Sequence, residues 1–137
     1  MPLTRLNYHV VFSTDQRKPC LKNPHLRFLF PVIGGITKRA GGRPVAIDGW
    51  HDHIHIVCVL PSTEDLASYV SKVKSQATGA LKSKFDEHSD FRWSPGYGAF
   101  TVSPKHLPEI TEYVRQQQEI HRHREVRPEY EEWERRP

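Results

Sequence analysis

Residues 53–60 read His-Ile-His-Ile-Val-Cys-Val-Leu, and no other stretch constrains the fold of this chain as strongly. The run is too short for a helix of ordinary length, rich in β-branched residues, and closed by Pro61. Those features make it a strand. Residues 43–50 form a second strand-like run, and only His51-Asp52 lies between the two. A two-residue connection joins antiparallel strands, so 43–60 is a hairpin. In a strand, residues two apart share a face. His53 and His55 therefore point one way, while Ile54, Ile56, Cys58 and Leu60 enter the core from the other side.

The rest of the chain supplies the partners of that hairpin. Residues 4–14 alternate, with Leu6, Tyr8, Val10 and Phe12 on one face and Asn7, His9, Val11 and Ser13 on the other. A basic loop spans 15–22. Asn23 reads as an N-cap with Pro24 at the first helical position, and a helix runs to about residue 40, where Gly41-Gly42 ends it. Pro31 and Gly34-Gly35 predict a kink or split in it. Ser62-Thr63-Glu64-Asp65 resembles a capping box. After it, Leu66, Tyr69, Val70, Val73, Ala77, Ala80, Leu81 and Phe85 recur at helical spacing. A loop over 86–96, a short strand over 97–103 and a helix over about 107–121 follow, and one short helix is expected over 128–135.

The order β-α-β-β-α-β-α predicts an α+β protein. The expected fold is a ferredoxin-like split βαβ sandwich, with a four-stranded antiparallel sheet and helices on one face. The last helix is extra and free to reach the open sheet face. A chain of 137 residues suits one domain, read as 1–124, with a charged tail over 125–137.

Composition narrows the function. No apolar run reaches the roughly 18 residues of a membrane span, and the N-terminus has no signal-peptide core. Cys20 and Cys58 are too few for a disulfide scaffold. A cytoplasmic, nucleoid-associated protein fits. Net charge is +4, but residues 1–47 hold eight Lys or Arg against Asp15 alone. That imbalance suits a polyanion such as nucleic acid. Arg17, Lys18, Lys74 and Lys82 lie in basic, acid-free stretches and are the candidate phosphate contacts; a solvated lysine face is the plain alternative.

Two imidazoles on one strand face can converge on a divalent ion. The plain alternative is a pair of solvated histidines. A third donor is available on the final helix, where Tyr113 and Gln117 lie four apart and share a face. Gln117 offers a carboxamide oxygen, and a tyrosine beside a phosphate held by an ion is a plausible nucleophile; the plain alternative, which composition alone favours, is Tyr113 packed at a helix edge and a solvated Gln117. Three consecutive glutamines also leave Gln116 and Gln118 open as that donor. Tyr97 and Phe100 are base-stacking or core residues, the Gly-flanked strand favouring core, and Trp50 fits either role. His9 shares the histidine face if the first and third strands are neighbours.

Four segments, in order, resemble the single-tyrosine His-hydrophobic-His transposases of the insertion-sequence-200/605 type. They are Tyr-His-Val-Val-Phe-Ser-Thr-Asp-Gln-Arg-Lys (8–18), Asp-His-Ile-His-Ile (52–56), Trp-Ser-Pro-Gly-Tyr-Gly-Ala-Phe (93–100) and Glu-Tyr-Val-Arg-Gln-Gln-Gln-Glu (112–119). The likeness runs from about residue 7 to residue 130. Asp15-Gln16-Arg17 departs from the family's usual Lys-Tyr-Arg, and Gln116 stands where an Asn often precedes the ligand. The resemblance implies cleavage and strand transfer of single-stranded DNA through a 5′-phosphotyrosine. It implies His53, His55 and Gln117 as ligands of Mg²⁺ or Mn²⁺ and Tyr113 as nucleophile. It also implies a homodimer whose tyrosine helix can serve the partner's site, acting on DNA with hairpin ends. Two alternatives stand beside it. One is a non-catalytic single-stranded nucleic-acid-binding protein of the same fold, although such modules usually display aromatics where this strand displays histidines. The other is an intact enzyme retired from mobility.

Overall fold

The computed structural model describes residues 3–123. The expected helix over 128–135 and the boundary at residue 124 lie outside them. Four strands form one antiparallel sheet in the order β2-β3-β1-β4: β1 (Leu6–Ser13), β2 (Arg43–Trp50), β3 (His53–Leu60) and β4 (Gly98–Thr101). The four-stranded antiparallel sheet is the one expected from the sequence, and its order makes β1 and β3 neighbours. β4 is shorter than the 97–103 read from the sequence, although Val102 N–H still donates to the Asn7 carbonyl at 2.9 Å.

Helices α1 (Asn23–Arg39) and α2 (Leu66–Lys84) cover one sheet face. Val10, Phe12, Ile54, Ile56, Cys58 and Leu60 meet Leu26, Leu29, Ile33, Tyr69, Val73 and Leu81 there in the main core. The Tyr69 hydroxyl lies 2.6 Å from Thr37 Oγ1, so this fully buried phenol keeps a polar partner. Of the kink or split expected, the split does not occur: α1 is one continuous helix. Pro31 sits on its exposed side, where the carbonyl one turn back can take water instead of the missing N–H. The helix also starts one residue early, with Lys22 at the cap and Pro24 in the first turn.

The opposite face carries a second, smaller core. α3 (Leu107–Arg115) brings Ile110, Tyr113 and Val114 onto Ala46 and Val57. The sequence predicted one helix to about 121. Instead it breaks at Gln116 (φ −101°, ψ 14°), and α4 (Gln117–His123) begins at the next residue. Tyr113 and Gln117 are therefore on two helices that meet at a joint.

Candidate functional site

The site is built where β3 leaves its turn. His53 and His55 project from the face opposite the main core, as the period of two requires, and both are fully buried beneath α3 and α4. Gly49 makes the close approach of β2 possible: a Cβ there would collide with the His53 carbonyl oxygen and lie 3.1 Å from Ile54 Cα.

Each imidazole is held through Nδ1. Asp52 Oδ1 lies 2.7 Å from His53 Nδ1, and Asp52 Oδ2 accepts from Arg17 Nε at 3.3 Å. Burial pushes the Asp52 carboxyl up, but the His53 hydrogen bond and charge, together with the Arg17 guanidinium, outweigh it and hold it below its ordinary value. Arg17 reaches this position from a tight turn in which Gln16 (φ 54°) and Arg17 (φ 53°) are both left-handed. His55 Nδ1 lies 2.8 Å from His9 Nε2.

The third candidate donor comes from α4. Gln117 Oε1 lies 3.0 Å from His53 Nε2 and 3.1 Å from His121 Nε2, and Gln117 is fully buried. Its two neighbours are not in the site by this measure: the exposed Gln116 bonds Glu112 at 2.7 Å, and Gln118 bonds the Asp48 carboxylate. The Tyr113 ring packs edge-on to His55 at 5.8 Å between centroids and is 5% exposed.

This donor set fits a cation. When His53 is neutral and donates its Nδ1–H to Asp52, its Nε2 lone pair faces the Gln117 oxygen. Two acceptors 3.0 Å apart require a proton or a cation between them. An octahedral ion with donors at about 2.1 Å and right angles holds them about 3.0 Å apart. Buried Gln117 Nε2 has no hydrogen-bond partner among the described residues, as expected when the carboxamide is oriented for its oxygen. Among the described residues no group of three His, Cys, Asp or Glu side chains is placed to hold a metal, so an ion at the two imidazoles would take the Gln117 oxygen as its third donor.

Asp48 is the residue that sequence reasoning missed. It pairs across the ladder with His55. Its buried carboxylate accepts the Gly49 N–H at 2.8 Å, the Gln117 backbone N–H and the Gln118 side chain. Burial raises its pKa to about 6 despite those bonds. The only local signal was an acid in an otherwise strand-like run.

The basic candidates are divided. Lys18 and Lys82 line one cleft of about 600 Å³ with Arg92 and His88, and Lys82 and Arg92 continue into a second with Lys74 and Trp93. Acids share the first cleft, and Arg92 bonds Asp15 at 3.2 Å. Lys74 points elsewhere: its ammonium donates to the Ser94 carbonyl at 2.9 Å and to that of Gly96, and lies over the Phe12 ring. Burial lowers its pKa. Phe100 and Tyr97 belong to neither core. Phe100, on the edge strand β4, lies beside His9 on the histidine face, and Tyr97, just before that strand, is exposed. Trp50 stacks on His51 (4.2 Å) and His121 (5.8 Å) at the rim of the site.

The sequence model of the family described as "Transposase IS200 like" matches residues 2–117, which takes in both histidines, Tyr113 and Gln117. The chain belongs to the IS200-like transposase family. This transposase is 26% identical over 125 residues to the transposase for insertion sequence element IS200 of Salmonella typhimurium, covering 85% of this chain and 80% of that one. The match to the Salmonella typhi transposase has the same identity and coverage. Its fold matches a putative transposase from Deinococcus radiodurans R1 (TM-score 0.69, 21% identity, 85% of this chain and 93% of that one). It also matches a REP-associated tyrosine transposase solved bound to a REP hairpin (TM-score 0.67, 17% identity, 88% of this chain and 71% of that one). Among the described residues of this transposase, no helix is long and apolar enough to cross a membrane.

Proposed function

We propose that this transposase cuts and rejoins single-stranded DNA through a covalent bond between Tyr113 and a 5′-phosphate. The observation that carries the reading is the 3.0 Å approach of His53 Nε2 and Gln117 Oε1, with His55 beside them and the Tyr113 ring against His55. His53, His55 and Gln117 would hold a divalent cation, Mg²⁺ or Mn²⁺. When bound, such an ion neutralises charge that builds on phosphate oxygens during displacement.

The chain's own groups do the rest. The Tyr113 oxygen gives up its proton and attacks the scissile phosphorus. The phosphorus–oxygen bond to the 3′ carbon's oxygen breaks, and that oxygen takes a proton and leaves as a 3′-hydroxyl. A second 3′-hydroxyl then attacks the phosphotyrosine and restores both a phosphodiester and the free phenol. Bond energy is retained in the phosphotyrosine, so neither water nor a nucleotide is consumed. With His53, His55 and Gln117 sealed from solvent, a phosphate reaches them only after the α3–α4 cover shifts.

The substrate we assign is single-stranded DNA with hairpin ends. The hairpin bound by the similar REP-associated transposase supports that class. Lys82 and Arg92 line the second cleft, whose lining holds no acid, and would meet the DNA phosphates there, with Lys18 nearby in the first cleft. A homodimer, working on the nucleoid, completes the proposal. His53→Ala tests it. Metal-dependent cleavage should fall at least about 100-fold while hairpin binding is kept. Cleavage at the wild-type rate would overturn the metal site.

A further inference from the structure

Asp48, on β2, meets the start of α4. The first N–H groups of any helix lack partners within it. At α4 the first of these is Gln117 N–H, and Asp48 accepts it. The preceding amide goes the other way, since Gln116 N–H donates to the Tyr113 carbonyl at 3.2 Å and closes α3. The break between the helices therefore falls between two acceptors, one at the end of α3 and one on the sheet. The same carboxylate takes the Gln118 side chain, which holds that residue away from the histidines. Gly49 N–H fixes the Asp48 side chain from its own strand at 2.8 Å.

Resting on the function proposed above, we infer that Asp48 is a positioning residue of the catalytic centre: its carboxylate anchors the backbone of Gln117 so that the carboxamide oxygen faces His53. In this role Asp48 acts through the Gln117 backbone rather than on DNA or the ion. It selects Gln117 from three consecutive glutamines by fixing where α4 starts. A helix continued unbroken through Gln116 would rotate and shift every side chain beyond the break.

The test uses the full chain, with Mn²⁺ as the probe and its free concentration read by electron paramagnetic resonance. Asp48→Ala should weaken Mn²⁺ binding about 10–100-fold, the range typical of residues that orient a ligand. Asp48→Asn keeps an acceptor oxygen and should restore most of that loss. Hairpin binding should be unchanged in both. Amide exchange gives a second reading: the Gln117 N–H is protected in the wild type and exposed in Asp48→Ala. Wild-type affinity for Mn²⁺ in Asp48→Ala would overturn the inference while leaving the metal site standing. Absence of Mn²⁺ binding in the wild type would overturn the metal site, and this inference with it. If Asp48→Ala does not fold, Asp48→Leu, similar in size but without an acceptor, takes its place: its Mn²⁺ binding should weaken over the same range, and wild-type affinity would overturn the inference. A purely structural role predicts equal losses of stability, hairpin binding and Mn²⁺ binding, and that pattern would also overturn it.

Discussion

Asp52 Oδ1 lies 2.7 Å from His53 Nδ1, and the two residues are neighbours in sequence. A side chain on the turn thus sets the tautomer of the first residue of the strand. With the proton on Nδ1, Nε2 presents a lone pair toward Gln117. Asp52→Ala removes that hold and leaves Arg17 without this partner. Mn²⁺ affinity should fall about 10–100-fold, and Asp52→Asn should recover most of it, because an amide oxygen still accepts from Nδ1. Equal affinity in all three proteins, measured by Mn²⁺ titration, would mean that Asp52 does not orient His53.

Lys74 and Lys82 separate a clamp from a phosphate contact. Lys74 is tied to two backbone carbonyls of the 94–96 turn, at whose end Gly96 is left-handed (φ +83°). Lys74→Ala should lower stability by about 1–2 kcal/mol, through charge-assisted bonds lost, and leave the salt dependence of DNA binding alone. Lys82 is exposed and lines both clefts. Lys82→Ala should leave the melting temperature alone and reduce the slope of log K against log salt by about 0.7–1. The reverse assignment of effects would move the DNA contact to Lys74.

His88 gives the fold a dependence on pH remote from the site. It is buried against Phe85, Phe91 and His25, and its Nε2–H donates to His25 Nδ1 at 3.1 Å. His25 Nδ1 also accepts the Lys22 N–H at 3.0 Å, so the proton of a neutral His25 is on Nε2, facing Glu87. Burial, then the charge of His25, pushes the His88 pKa down, and Glu87 offsets only part of that. The unfolded chain then binds the proton first as pH falls. Stability from this group is complete above about pH 6.5, declines as pH drops through the unfolded value, and levels off below the folded one. His88→Gln keeps a donor without titrating in this range. Its melting temperature should fall less than that of the wild type between pH 7.5 and 5.5. Parallel curves would remove His88 as a source of acid sensitivity.

Local pattern carried most of this fold. The hairpin 43–60 was legible because a period of two and a two-residue turn admit few other arrangements, and the face assignment of His53 and His55 followed from it. The core side of α2 followed from helical spacing in the same way. What sequence could not supply was long-range. Tyr-Val-Arg-Gln-Gln-Gln has no breaker, yet the helix ends at Gln116, where the Asp48 carboxylate takes the next amide. Pro31 has a breaker's chemistry, yet α1 continues, because the proline faces solvent. Lys74 looked like a free cation on a basic face until the 94–96 turn was seen to fold over it. In the site, the pair of histidines was visible as a motif, whereas the choice of Gln117 over its neighbours depended on a contact with another element.

The central claim is that Tyr113 forms a covalent bond with DNA. It is tested by incubating the protein with end-labelled single strands from the DNA flanking its own gene, with and without Mg²⁺, and separating the products on a denaturing gel. The account predicts a label that migrates with the protein only when metal is present, carried by the strand on the 5′-phosphate side of the cut, and absent in Tyr113→Phe. Tight hairpin binding with no such adduct on either strand, or an adduct that survives Tyr113→Phe, would contradict it.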